Sequence, residues 1–240
     1  MSKTALLFLT RGTSYKAQGE IMAKTQYPID GKKGKAWKIT SPFGWRVHPI
    51  EKIKKHHNGD DLWGPSEKIY TEAWHDGTVV YAGTSKLKNA DGSLGGVGYY
   101  VDLRCKIDGK WYTTRYGHMV EGSLKVKTGQ KIEAGTILGI MGNTGASAGR
   151  HLHFEICEGK VLRWDLNGKG YVSPIKFVEA VMEFEKLKAS APGPTPDDGV
   201  IDDTPPSFDA ASLQAKKKPT GKLVNPVPGF GSTKKVEKKK

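Results

Sequence analysis

All seven histidines of the chain lie between positions 48 and 153, at 48, 56, 57, 75, 118, 151 and 153. This gathers into one region the side chain that most often binds metals and that changes charge near neutral pH. The sharpest window is His151-Leu152-His153-Phe154-Glu155. On a strand side chains alternate, so His151, His153 and Glu155 share one face while Leu152 and Phe154 face an apolar layer. Upstream, His56-His57-Asn58-Gly59-Asp60-Asp61 holds two His-x-x-x-Asp pairs, His56 with Asp60 and His57 with Asp61. A spacing of four lets both members reach one ion, and Gly59 lets the backbone bend between them. Imidazole and carboxylate are donors that Zn²⁺ favours, and a three-ligand site leaves a position for water, the arrangement of a catalytic site. Tyr116-Gly117-His118 ends a strand-like run and offers a further imidazole.

Strands must carry these residues. From Trp37 to about Pro174 short runs rich in Val, Tyr, Thr and Ile alternate with Gly-containing turns, the pattern of an all-β domain. Thr78-Val79-Val80-Tyr81 reads as one strand, and residues 98–107 and 110–116 read as a hairpin about Asp108-Gly109, a favoured two-residue turn. Residues 151–157 and 161–164 read as a second hairpin about Glu158-Gly159-Lys160, and residues 127–145 space glycines around short apolar steps. Ser173-Pro174 has the N-cap and first-turn chemistry of a helix, continued by Phe177, Val178, Val181, Met182 and Phe184 to about Lys188. This closing helix, 173–188, is expected to pack on the sheet and end a domain of residues 37–189. Residues 1–36 show no period and are expected to form a poorly packed basic arm, in which Met22 offers an alternative start. Residues 190–240 turn Pro- and Asp-rich and then Lys-rich, with too few apolar groups for a core, and read as a disordered tail or linker.

Taken together, the motifs resemble the lysostaphin-type (LytM-like) zinc endopeptidases, which cut peptide stems or cross-bridges of bacterial peptidoglycan. The matching segments are Ser41-Pro42-Phe43-Gly44-Trp45-Arg46-Val47-His48-Pro49, His57-x-Gly59-x-Asp61, Gly77-Thr78-Val79-Val80-Tyr81-Ala82-Gly83, Tyr116-x-His118, Gly142-Asn143-Thr144-Gly145 and the His151–Glu155 run, in family order across core motifs 41–155. The family pattern His-x-Gly-x-Asp selects His57 and Asp61 over His56 and Asp60. The resemblance implies an antiparallel sheet with a substrate groove, zinc held by His57, Asp61 and His153, and His118 and His151 as a catalytic pair that does not bind the metal. Which of the two takes the proton from water stays open. Glu155 is expected either to orient a ligand or to serve in a surface or hairpin salt bridge. Asp60, in a position usually apolar in relatives, is expected to put an extra acid near the metal. His56 and His75 are expected at the surface, and His48 in the loop beside its motif. Trp45, Trp63, Tyr99, Tyr100 and Trp111 are candidates for the groove lining or for packing.

Composition narrows the classes of function. The 240 residues carry 38 Lys and Arg against 25 Asp and Glu, a net charge of +13, which directs attention to polyanionic partners. No helix-turn-helix, zinc-finger or RNA-binding signature accompanies that charge, so no specific nucleic acid is expected. The early apolar run ALLFL is too short for a membrane span or a secretory signal core, and two cysteines make no disulfide framework. The expectation is a peptidoglycan endopeptidase made in a host cytoplasm without a signal peptide. It would act on the wall as a phage endolysin released at lysis or as a virion-associated lysin in contact with phage tail proteins. The Lys-rich tail is either a solvated end or a tether to anionic wall polymer. The alternative is a non-catalytic wall-binding or phage tail assembly module of the same fold.

Overall fold

The computed structural model describes residues 25–47, 52–162 and 167–190. Twelve strands precede one helix: β1 (Lys38–Ser41), β2 (Gly44–Val47), β3 (Lys54–His57), β4 (Gly59–Trp63), β5 (Tyr70–Glu72), β6 (Gly77–Thr84), β7 (Tyr99–Ile107), β8 (Lys110–Met119), β9 (Lys131–Ile132), β10 (Ile137–Ile140), β11 (Leu152–Glu158), β12 (Tyr171–Val172) and α1 (Pro174–Ser190). The main sheet runs β1-β4-β11-β8-β7-β6-β9, with β12 also on β11, and β5–β10 and β2–β3 form separate two-stranded ribbons. All the pairings between these strands are antiparallel. Among the described residues no helix is long and apolar enough to cross a membrane.

Alternation along the central strands builds the core. Leu62 of β4, Leu103 of β7, Tyr116 of β8 and Leu152, Phe154 and Ile156 of β11 are fully buried on one side of the sheet. Helix α1 adds Phe177, Val178 and Val181, with Phe177 packed edge-on to Trp74 and tilted against Tyr112. Asp108 and Gly109 both take positive φ, 44° and 79°, so the β7–β8 turn has the handedness that a two-residue hairpin prefers. Cys105 and Cys157 are both buried.

Several local expectations change. Beyond its turn β11 pairs with β12, joining Ile156 to Val172 and Cys157 to Tyr171; of the expected second hairpin arm, 161–164, Val161 and Leu162 lie in no strand and the rest falls outside the described residues. Residues 25–29 are packed into the domain, while 30–35 lie exposed on it. Ile29 is 2% exposed, Tyr27 meets Trp37 edge-on, and bridges join Thr25 to His75 and Ile29 to Thr71. Isolated bridges need only one or two anchoring side chains, so this segment has no period to read. Residues 1–24, with Met22, His48 and the 191–240 tail lie outside the described residues.

Asp60 also differs from expectation. It turns away from the histidines, and its Oδ1 accepts from Phe43 N at 2.8 Å while Oδ2 accepts from Ile175 N at 2.9 Å in the first turn of α1. Burial raises its pKa, although these two backbone hydrogen bonds work in the opposite direction. Strand alternation sends adjacent carboxylates to opposite faces, so the extra acid anchors the helix.

Candidate metal centre and its groove

Three neighbouring strands assemble the centre. Asp61 of β4 lies opposite His153 of β11, and Gly117 of β8 lies opposite His153 on the other side. His57 ends β3, one residue before β4 begins. A Cβ on Gly59 would stand 2.6 Å from the Phe154 carbonyl oxygen and 2.9 Å from His153 Cε1, so only glycine lets β4 pass this close to the imidazole. His118 has φ of 63°, unusual for a residue with a side chain. Alternation from buried Tyr116 would send His118 into the core, whereas the left-handed backbone brings it to the groove.

Donor atoms of His57, Asp61 and His153 converge. His57 Nδ1 donates to the Pro42 carbonyl at 3.1 Å, and His153 Nε2 donates to Glu155 Oε1 at 2.9 Å, so each ring's other nitrogen has its lone pair free. Those nitrogens, His57 Nε2 and His153 Nδ1, are 3.2 Å apart and lie 3.2 and 2.8 Å from Asp61 Oδ1. A tetrahedral ion with bonds of ~2.0–2.1 Å requires donor separations of about 3.3 Å. The triangle therefore has the size and donor chemistry of a zinc site, and these three residues make up the possible metal cluster among the described residues.

The electrostatics agree with that arrangement. Burial tends to raise the Asp61 carboxyl, but whenever a second proton sits on the nitrogens that His151, His153 and His57 turn toward it, their hydrogen bonds outweigh burial and hold the group far below the usual carboxylate range. For His153 burial acts to lower the pKa, yet Asp61 and Glu155 grip both ring nitrogens and raise it to about 10. A cation is thus favoured at this spot, whether a proton or a metal ion. Glu155 is buried rather than at the surface, and it both bonds the candidate ligand His153 and faces Arg115 across the β8–β11 pair. Behind it Arg115 Nη1 comes within 3.9 Å of Glu155 Oε2, and Arg115 holds Asp102 through bonds of 2.9 and 2.8 Å.

His118 and His151 stand beside this cluster with ring centroids 4.7 Å apart. His118 Nδ1 donates to the Thr144 carbonyl at 2.7 Å, and His151 Nδ1 donates to the Gly149 carbonyl at 2.7 Å. Each therefore keeps an unprotonated Nε2, and that of His151 is 3.5 Å from Asp61 Oδ1. Burial first, then the neighbouring His153 and His151, lower the His118 pKa to about 3. The loop that fixes Thr144 crosses β7 by a glycine contact, since a Cβ on Gly145 would meet Gly98 N at 2.4 Å.

These groups open into a groove of about 840 Å³, whose lining includes Arg46, Lys55, Trp63, Lys86, Tyr100 and Arg150. Of the aromatic candidates, Trp63 and Tyr100 thus line it, while Trp111 and Tyr99 lie elsewhere. His56 and His75 are buried, not at the surface. His56 packs edge-on to Phe43 and Trp45, and His75 lies against Trp74 with Nε2 3.6 Å from Glu185. The Arg115–Asp102 pair went unnoticed in the sequence, yet equal counting outward from Asp108-Gly109 puts the two directly opposite each other.

Residues 55–166 match the family described as Peptidase family M23. The chain is 34% identical over 149 residues to peptidoglycan DD-endopeptidase ShyA of Vibrio cholerae, covering 60% of this chain and 30% of that protein. It is 29% identical over 147 residues to Endolysin 2638A of Staphylococcus phage 2638A, covering 53% of this chain and 28% of that protein. It thus spans less than a third of the length of these curated relatives. The catalytic domain of lysostaphin from Staphylococcus simulans aligns with 60% of this chain and 92% of its own length at 25% identity and a TM-score of 0.46. The matched region contains the converging His57, Asp61 and His153 as well as His118 and His151, so the likeness of residues 55–166 to peptidase family M23 takes in the whole candidate site.

Proposed function

We propose that the protein is a zinc-dependent endopeptidase that hydrolyses amide bonds in the stem peptides or cross-bridges of peptidoglycan. The observation that carries this reading is the convergence of three lone-pair donors, on His57, Asp61 and His153, beside two imidazoles with free Nε2 atoms at an open groove. Likeness to a peptidoglycan endopeptidase and an endolysin supports the choice of substrate and a role as a phage lysin.

Zinc bound there would polarise the scissile carbonyl and lower the pKa of water, the chemistry of zinc hydrolases. The chain's own residues do the rest. His57, Asp61 and His153 would hold the ion, and Glu155 fixes the His153 tautomer and ring orientation. His118 and His151 are the catalytic pair. One accepts the water proton at Nε2, turns that N–H toward the oxyanion as charge develops, and then passes the same proton to the leaving amine. The carbonyls of Thr144 and Gly149 anchor the opposite ring nitrogens, so both imidazoles present the correct atom before substrate arrives. Trp63 and Tyr100 give the groove apolar walls for the peptide.

The test is amine release from purified peptidoglycan by zinc-loaded protein, with chelated protein and His151→Ala as controls and fragment masses identifying the bond. Zinc-dependent release that disappears in the variant is the expected result. Folded, zinc-bound protein that releases nothing from walls of several chemotypes would show a binding module instead.

A further inference from the structure

The groove occupies only one end of its sheet face. Alternation puts Arg115, Thr113 and Trp111 of β8 on that face with Asp102, Arg104 and Lys106 of β7, and Lys106 lies directly opposite Trp111. Gly117 marks the level of His153, and Trp111 is six positions farther along β8, roughly 20 Å away at ~3.3 Å per residue. There Trp111 is 37% exposed and is surrounded by positive charge. Arg104 Cζ, Lys106 Nζ and Lys160 Nζ lie 5.5, 5.7 and 5.5 Å from its ring centroid. The turn carrying Lys160 is pinned by Gly159 N donating to the Trp111 carbonyl at 2.7 Å.

These cations differ from Arg115 on the same face. Arg115 is matched by Asp102, whereas none of Arg104, Lys106 and Lys160 has a carboxylate within 4.0 Å among the described residues. Arg104 Nε is also buried without a hydrogen-bond partner. Three like charges converging on one ring repel one another, and an external anion would relieve that repulsion. The exposed tryptophan adds a flat apolar surface of the kind on which the C–H face of a sugar ring can lie. Single-stranded nucleic acid is held by successive stacked bases on several aromatic rings, whereas the three cations here gather over the one ring of Trp111.

We infer that the Trp111 end of the sheet is a second binding site, for a polysaccharide carrying anionic groups. A sugar ring rests on Trp111, and its carboxylate or phosphate oxygens lie among Arg104, Lys106 and Lys160. The inference builds on the proposed peptidase activity, because a polymer held here would keep its attached peptides at high local concentration near a groove about 20 Å away.

The experiment measures binding of the full chain to three soluble probes, polygalacturonate, uncharged dextran and oligo(dT), for the native protein, Trp111→Ala and the double variant Lys106→Gln/Lys160→Gln. Thermal unfolding checks that each variant is folded, and the Lys variants keep the test open if Trp111→Ala loosens the hairpin. Polygalacturonate should bind the native protein and weaken by about tenfold or more in the folded variants, with dextran left unbound. The inference is overturned if the native protein does not bind polygalacturonate, if the folded variants bind it equally well, or if dextran matches it. Tighter binding of oligo(dT) with the same dependence on Trp111 would overturn it in favour of nucleic acid. Amine release from purified peptidoglycan, measured separately, reports on the peptidase activity, so the two readings can fail independently.

Discussion

Asp60 and Asp61 are consecutive carboxylates with opposite duties. Asp61 faces the groove and gathers three imidazoles, whereas Asp60 faces inward and ties β4 to Phe43 and to the start of α1. The same division runs across β11, where His153 and Glu155 belong to the polar face and Leu152, Phe154 and Ile156 to the core. One face of the sheet is therefore arranged for chemistry and the other for stability, with the strand's two-residue period keeping them apart.

Substitutions on each face can break that division. The largest effect is expected for His118→Ala or His151→Ala, which should lower zinc-dependent amine release by roughly 10²–10⁴-fold while the thermal midpoint stays close to that of the native protein. Phe154→Ala should cost about 3–5 kcal/mol of stability in denaturant titrations, with activity per folded molecule preserved. Glu155→Gln keeps an acceptor for His153 but loses its charge, so zinc affinity from competition with a chelating dye should fall ~10–100-fold. Asp60→Ala strands two buried backbone N–H groups and should cost about 1–3 kcal/mol with zinc affinity unchanged. If Asp60→Ala weakens zinc binding as much as Glu155→Gln does, the two faces are not independent and the comparison fails.

Much of the site was legible because its motifs are local. The alternation in His151–Glu155 and the four-residue step from His57 to Asp61 bring these side chains to one place with little help from distant contacts. The choice between the His56 and His57 registers needed the family pattern, and the contact between Gly59 and His153 gives it a physical reason. Other features depend on tertiary structure and leave no local trace. The positive φ of His118 reverses its face, Asp60 finds its partner in a helix far along the chain, and residues 25–29 join the core through isolated bridges. The Asp102–Arg115 pair lies between these cases, because the Asp108-Gly109 turn fixes its register but only the fold shows Glu155 beside it.

The bond from Asp60 to Ile175 also has a temporal meaning. It closes a span of 115 positions, and β12, the other late element, adds its hydrogen bonds to β11. A chain emerging from the ribosome therefore presents His57, Asp61 and His153 before residue 175 is available to tie down β4 and before β12 can pair with β11. If the proposed activity holds, the nascent chain is expected to stay catalytically silent until the helix that anchors Asp60 has been made.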